Sequence, residues 1–188
     1  MVALRPLCDF DRDMVRDWRN QPHVAAMMYT DHEIGPEEHA RWFATTFEDP
    51  RKLYYIIEDE GVPIGLAGFT ELDGRSASWA FYLATPETRG RGLGAQTEFA
   101  MLERAFEVLR LQNLRCEVLA LNGAVVALHE SFGFRRTGML VARAMKNGQP
   151  EDVVTLEMNA GEWPRAKQRA QARLAAKALS LQASAQVA

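Results

Sequence analysis

Thr85 to Glu98 reads TPETRGRGLGAQTE, and how that stretch is read decides the fold of the chain. Glycines stand at alternate positions, Gly90, Gly92 and Gly94, with Arg89 and Arg91 on either side of the first. The residues from about Gly92 to Leu111 carry the spacing of a long amphipathic helix. Each glycine loses more chain entropy on folding than any other residue, so this density is unfavourable for a plain turn. It fits a backbone that must come close to something.

Working outward, the chain changes period around this stretch. Upstream, KLYYIIEDEGVPIGLAGFTELDGRSASWAFYLA reads as three strands turning at Glu60-Gly61 and Asp73-Gly74. Before them ALRPL is a short strand, and DFDRDMVRDWRN a helix with Asp9 or Asp11 as N-cap and Met14, Val15 and Trp18 on one face. HVAAMMYT is a second short helical piece. GPEEHARWFATTFEDP is a third helix, with Pro36 at its first position and Glu37 and Glu38 in its first turn. Downstream, LRCEVLAL is a strand, NGAVVALHESFGF a helix bounded by Asn122 and Gly133, and TGMLVARAMKNGQPEDVVTLEMN a closing hairpin around Asn147-Gly148. Residues 1–160 thus read as one domain and 161–188 as a helical or frayed tail rich in Ala, Gln, Lys and Arg. The tail is either a solvated helix or a segment that packs on another subunit through Trp163, Leu174 and Leu181, which leaves room for a homodimer.

Bulk properties narrow the function. At 188 residues, 47% hydrophobic and 25% charged, the chain suits one globular domain. A formal net charge of -3 gives no global field for nucleic acid or an anionic membrane. Cys8 and Cys116 are far apart and lack CxxC spacing, so neither a disulfide framework nor a metal site is expected. No signal peptide or membrane-length apolar run is seen, and a cytoplasmic location is expected.

Three ligands compete for the glycine stretch. A nucleotide-triphosphate loop needs Lys and Ser/Thr after its last glycine, where Ala95 and Gln96 stand. Gly90-x-Gly92-x-x-Ala95 satisfies a permissive dinucleotide pattern, with Glu117 at roughly the spacing of the acidic partner. That glutamate sits mid-strand, however, and the preceding strands read as a meander. The third ligand is a pyrophosphate held by successive N–H groups at a helix N-terminus, helped by Arg89 and Arg91.

The segment Arg89-Gly90-Arg91-Gly92-Leu93-Gly94 resembles the acetyl-CoA pyrophosphate loop, R/Q-x-x-G-x-G/A, of the GNAT superfamily of N-acetyltransferases. LNGAVVALHESFGF and the order of elements over about residues 2 to 160 are similar to that family too. The resemblance implies an α+β three-layer fold, with a mixed, mostly antiparallel twisted sheet of about seven strands, helices on both faces and a splayed fourth and fifth pair. It implies acetyl-CoA as cosubstrate, contacted by Leu83, Arg89, Gly90, Arg91, Gly92, Leu93, Gly94, Ala95 and Asn122, with no metal.

The amino-terminal third resembles the amino-sugar N-acetyltransferases of pseudaminic acid biosynthesis, in Trp18-Arg19-Asn20, Met28-Tyr29-Thr30 and Glu38-His39 followed by Trp42. That likeness implies the 4-amine of UDP-4-amino-4,6-dideoxy-N-acetyl-β-L-altrosamine as acceptor, in a pathway serving flagellin glycosylation. Tyr29 and Trp42 would then stack on the base, Arg19 and His39 meet phosphate oxygens, and Met28 and Tyr82 line the sugar pocket. Trp42 fits a core position equally well. The family's usual general-acid tyrosine is replaced by His129, which either protonates the leaving thiolate or packs on the pantetheine arm. Glu117, on the acceptor side by resemblance, would orient the amine or take its proton through water if its surroundings are buried. Direct attack in a ternary complex is expected. A protein N-terminus or ribosomal protein as acceptor, and a non-catalytic acetyl-CoA binder, are the rival expectations.

Overall fold

The computed structural model describes residues 1–86 and 90–185, with only the backbone for 181–185. Seven strands form one sheet: β1 (Ala3–Pro6), β2 (Leu53–Asp59), β3 (Val62–Thr70), β4 (Ser76–Leu83), β5 (Asn113–Leu119), β6 (Arg135–Lys146) and β7 (Gln149–Asn159). Their order is β1-β2-β3-β4-β5-β7-β6, and every pair is antiparallel except β4 with β5. The helices are α1 (Arg12–Arg19), α2 (Pro22–Ala25), α3 (Pro36–Glu48), α4 (Leu93–Glu103), α5 (Gly123–Phe132) and α6 (Trp163–Ala185).

Side-chain alternation along the strands sorts the helices onto two faces. Ile56 and Leu66 pack with Val15, Trp18 and Phe43 of α1 and α3. Their neighbours Tyr55, Ile57 and Ala67 pack with Phe99, Met101, Val126, Phe132 and Trp163 of α4, α5 and α6. This is the three-layer α+β arrangement expected from the resemblance.

The parallel β4–β5 pair is joined only over Ser76–Ser78 and Asn113–Arg115. Beyond Ser78 and Arg115 the two strands part, so Trp79–Leu83 and Cys116–Leu119 face a gap rather than each other. β7 fills the far side of β5 along its whole length, which fixes β5 and leaves the gap on the β4 side. A parallel pair without a hairpin needs a crossover, here α4 and the wider helical turn Arg104–Val108 that follows it.

Two expectations are corrected in the details. Asp11 stands at the α1 N-cap but makes no cap bond; its buried carboxylate takes both guanidinium nitrogens of Arg5, at 2.9 and 2.8 Å. The start of the tail packs on this chain's own core rather than being left free. Trp163 is 4% exposed against Phe99 and Phe106, Ala166 and Ala170 are buried beside it, and Leu174 packs on the same core. Leu181 lies outside the side chains described.

Candidate active site

A cavity of about 540 Å³ runs through the gap between β4 and β5. It opens on both faces of the sheet, because its walls come from both. Arg19, Tyr29, His39, Trp42, Tyr54 and Tyr82 belong to the α1–α3 side, and Asn122, Val125 and His129 to the α5 side. A second cavity of about 490 Å³ adjoins it and is lined by Gly90, Gly92, Leu93, Gly94, Ala95, Leu128 and Lys177. Leu83 and His23 line both.

The second cavity is an anion cradle by construction. Gly90 and Gly92 have φ of +77° and +78°, a left-handed conformation that side chains resist. The first turn of α4 closes with Gln96 N–H on the Gly92 carbonyl at 3.1 Å. The N–H groups of Leu93, Gly94 and Ala95 therefore precede the first helical bond and have no intrahelical acceptor. They add to the positive end of the helix dipole, and Gly94 and Ala95 keep the approach open. A pyrophosphate fits these groups. Lys177 of α6 reaches the cradle, its Cγ 3.5 Å from where a Cβ on Gly92 would stand. Arg91 does not line the cradle: its guanidinium pairs with Asp59 at 2.6 Å and ties the loop to β2. The expectation that Arg91 meets the phosphates is corrected on that ground. Arg89 lies outside the described residues.

The edge of β4 supplies a main-chain donor. Ala84 N–H bonds the Ile64 carbonyl on β3 at 2.7 Å. Successive N–H groups of a strand point to opposite edges, so Leu83 N–H points away from β3, into the gap. Leu83 thus stands where both cavities meet with a backbone donor turned inward. Asn122 caps α5 without a side-chain cap bond and lines the large cavity.

His129 is buried in α5, with its ring packed on Trp79, Phe81 and Phe134. Its Nδ1 lies 2.9 Å from Oε1 of Glu98, a fully buried residue of α4. Nε2 is therefore the ring nitrogen left for the cavity. Cys116 is no rival as a nucleophile, because burial first and then Glu98 and Glu117 push its thiol well above the usual range.

The acceptor side is held by a clamp. Asn20 pairs with both backbone groups of Ile34, at 2.9 Å each, and so closes the segment between them into a loop. The buried Lys146 of β6 donates to the carbonyls of Ala25, Met28 and Thr30 at 3.0, 2.9 and 3.1 Å and pairs with Asp31 at 3.3 Å. Tyr29 reaches from that loop and donates its hydroxyl to Glu117 of β5. Glu117 lines the cavity on the face opposite Cys116 and is exposed, so the burial on which its proton-taking role depended is absent.

His39 is 3% exposed, and burial lowers its pKa, so at neutral pH it is a neutral ring. Its Nε2 has no hydrogen-bond partner among the described residues. Arg19 lines the cavity half-buried, and among the described residues no carboxylate lies within ion-pairing distance of it. Burial lowers its pKa, yet an arginine stays charged at neutral pH. Trp42 stands edge-on to Tyr54 at 5.4 Å and lines the cavity, so it is both wall and support. Tyr82 presents a buried hydroxyl with no partner.

Sequence reasoning passes over four residues of the site. Glu98 had a signal, a charge amid the apolar face that holds Leu93, Met101 and Leu102. Lys146, Lys177 and His23 had none, since their places depend on contacts distant in the chain. His32 is a surface residue paired with Glu38 at 3.0 Å. Among the described residues, no helix is long and apolar enough to cross a membrane, and no cluster of three or more His, Cys, Asp or Glu could hold a metal.

Comparison with known proteins agrees with this geometry. Residues 2–135 match the family model "Acetyltransferase (GNAT) domain". Acetyltransferase PseH of Campylobacter jejuni is 26% identical over 137 residues, which span 71% of this chain and 85% of that protein. A second Campylobacter jejuni PseH is 27% identical over 122 residues, 65% of this chain and 75% of that protein. Among solved structures, a spermidine N-acetyltransferase from Vibrio cholerae, in complex with CoA and spermine, superposes with a TM-score of 0.80. It is 23% identical and the match covers 86% of this chain and 97% of that one, a likeness of fold.

Proposed function

The chain belongs to the acetyltransferase (GNAT) family, and on that footing we propose that it acetylates the 4-amino group of a UDP-linked 4-amino-4,6-dideoxy sugar, UDP-4-amino-4,6-dideoxy-N-acetyl-β-L-altrosamine, on the way to pseudaminic acid. The observation that carries the acceptor is Arg19, a half-buried cation with no carboxylate partner among the described residues, in a cavity walled by Trp42, Tyr54 and Tyr82. A diphosphate meets that charge and a uracil ring meets those faces. The likeness to PseH over 137 residues supports this reading.

Acetyl-CoA, when bound, supplies the activated acyl group and a thiolate leaving group. The N–H groups of Leu93, Gly94 and Ala95, with Lys177, hold its pyrophosphate. Leu83 N–H in the gap stabilises negative charge on the carbonyl oxygen. Glu117 accepts from Tyr29 and so ties the acceptor-side loop to β5, and water takes the proton that the amine releases. His129 gives a proton from Nε2 to the leaving sulfur. The amine attacks directly, since the buried Cys116 is held protonated.

The test is a thermal-shift titration with UDP. UDP should raise the melting temperature of the wild-type chain, and Arg19→Ala should abolish that rise while keeping the rise given by CoA. An equal rise with UDP in both proteins removes Arg19 from the acceptor site, and no rise with UDP in either removes the nucleotide-sugar.

A further inference from the structure

One pair in the cavity wall is half used by the mechanism above. Glu98 is fully buried, its Oε1 is 2.9 Å from Nδ1 of His129, and its Oε2 has no hydrogen-bond partner among the described residues. An ionised carboxylate with an orphan oxygen is strongly disfavoured in an apolar interior, and a carboxyl there resists losing its proton. Burial accordingly pushes the Glu98 pKa upward, with His129 and Arg173 acting against it. The groups that face the pair are few. Arg173 comes from α6 and the protonated Cys116 from β5, while β4 and the segment after α5 present the rings of Trp79, Phe81 and Phe134.

We propose that Glu98 is the positioning residue of a proton-holding dyad, fixing a proton on Nδ1 of His129 so that Nε2 delivers the proton required by the leaving sulfur. This rests on His129 being the general acid. Because the carboxyl and the ring share a hydrogen bond, the dyad is described by the protons the two residues hold together. Loaded, it holds two: one between Glu98 and Nδ1, and one on Nε2. His129 gives the Nε2 proton to sulfur as the carbon–sulfur bond breaks, and the electron pair of that bond stays on sulfur. The dyad is left as a Glu98 carboxylate accepting from Nδ1–H, with Nε2 bare. Solvent reloads it with one proton, matching the proton the amine releases, so the turnover gains and loses none. The arrangement follows a general rule for histidines, in which the bond made by one nitrogen sets the state of the other.

The experiment is nitrogen-15 NMR of histidine-labelled full-length protein across the alkaline range, with His129→Gln assigning the His129 signals. The expected result is that His129 keeps its proton on Nδ1 at high pH, the reverse of the Nε2–H form favoured by a free histidine side chain. A bare Nδ1 with a protonated Nε2 at high pH overturns the proposal. The kinetic arm uses Glu98→Gln, which keeps the shape and removes the charge. Its kcat should fall about tenfold at neutral pH, with the alkaline limb of the pH profile moved down by about one unit and the KM for acetyl-CoA within about twofold. An unmoved limb overturns the proposal. If Glu98→Gln does not fold, the wild-type NMR result decides alone. Should no amine be acetylated, the NMR arm still reports on the pair, so failure of the dyad and failure of the acetyl-transfer reading look different.

Discussion

Replacing Gly65 with alanine strikes the strand contact that sets the carbonyl-binding edge of β4. Gly65 lies opposite Leu83 in the β3–β4 register. A Cβ on Gly65 would stand 2.2 Å from the Tyr82 carbonyl oxygen and 3.0 Å from Leu83 Cα. Contacts below about 3.0 Å are not tolerated, and both atoms are backbone, so no flexible side chain can swing away. The Tyr82–Leu83 peptide must retreat by about 0.8 Å, the gap between 2.2 and 3.0 Å. It cannot slide freely, because the next residue is tied to β3 by the Ala84–Ile64 bond at 2.7 Å. The peptide that moves carries the Leu83 N–H turned toward the cavity. A misplacement near 1 Å in a catalytic constellation costs on the order of 10²-fold in rate. Overpacking of this kind costs about 1–3 kcal/mol of stability. The expected result in a thiol-release assay is a kcat lower by about 10²-fold, with the KM for acetyl-CoA changed less than about threefold, because the phosphate cradle sits on α4. Gly35→Ala is the control: its φ is −69° and an added Cβ meets nothing, so its kcat should match the wild type. A folded Gly65→Ala protein with wild-type kcat would refute the placement of the carbonyl donor on β4.

Other perturbations have equally definite outcomes. Lys177→Ala should raise the KM for acetyl-CoA by about three- to tenfold at low salt, with the difference shrinking as salt rises, since an exposed charge is screened. Trp163→Ala should lower stability in urea by about 3–5 kcal/mol, as expected for a large buried aromatic, and also removes the 2.8 Å bond from its Nε1 to Glu107. Asp11 gives a pH test: burial alone would raise its pKa, but the bonds from Arg5 and from Cys8 N–H outweigh it and hold the carboxyl below its ordinary value. A depressed carboxylate contributes stability above its unfolded pKa of about 3.9 and loses it as pH falls through the folded value. The melting temperature of the wild type should therefore drop more steeply below about pH 4 than that of Asp11→Asn, and parallel curves would count against the pair.

Much of this fold is written locally. The turns at Glu60-Gly61 and Asn147-Gly148 and the limits of α5 at Asn122 and Gly133 lie where short-range chemistry puts them. The glycine loop is legible for the same reason, because left-handed backbone and free N–H groups leave a mark in composition. The site is legible only in part. Arg19, Trp42, Tyr82, Glu117 and His129 all line one cavity. Their states are another matter. Whether His39 is charged, whether Arg91 faces a phosphate or Asp59, and whether Glu117 is buried all depend on neighbours tens of residues away. Lys146 shows this most plainly, since its three carbonyl partners are more than a hundred residues distant. The tail was read only in part: it is helical and mostly solvated beyond Ala170, but its start is seated on α4 by Trp163, Ala166 and Ala170, contacts distant in the chain.

The central claim, acetyl transfer to a nucleotide-linked amino sugar across the β4–β5 gap, is most directly tested by thiol release from acetyl-CoA with three acceptors in parallel. They are the UDP-4-amino altrosamine sugar, its gluco-configured 4-amino epimer, and spermidine. The account predicts turnover with the altrosamine sugar, none with spermidine, and loss of that turnover in Arg19→Ala. Turnover with spermidine and neither sugar would contradict it.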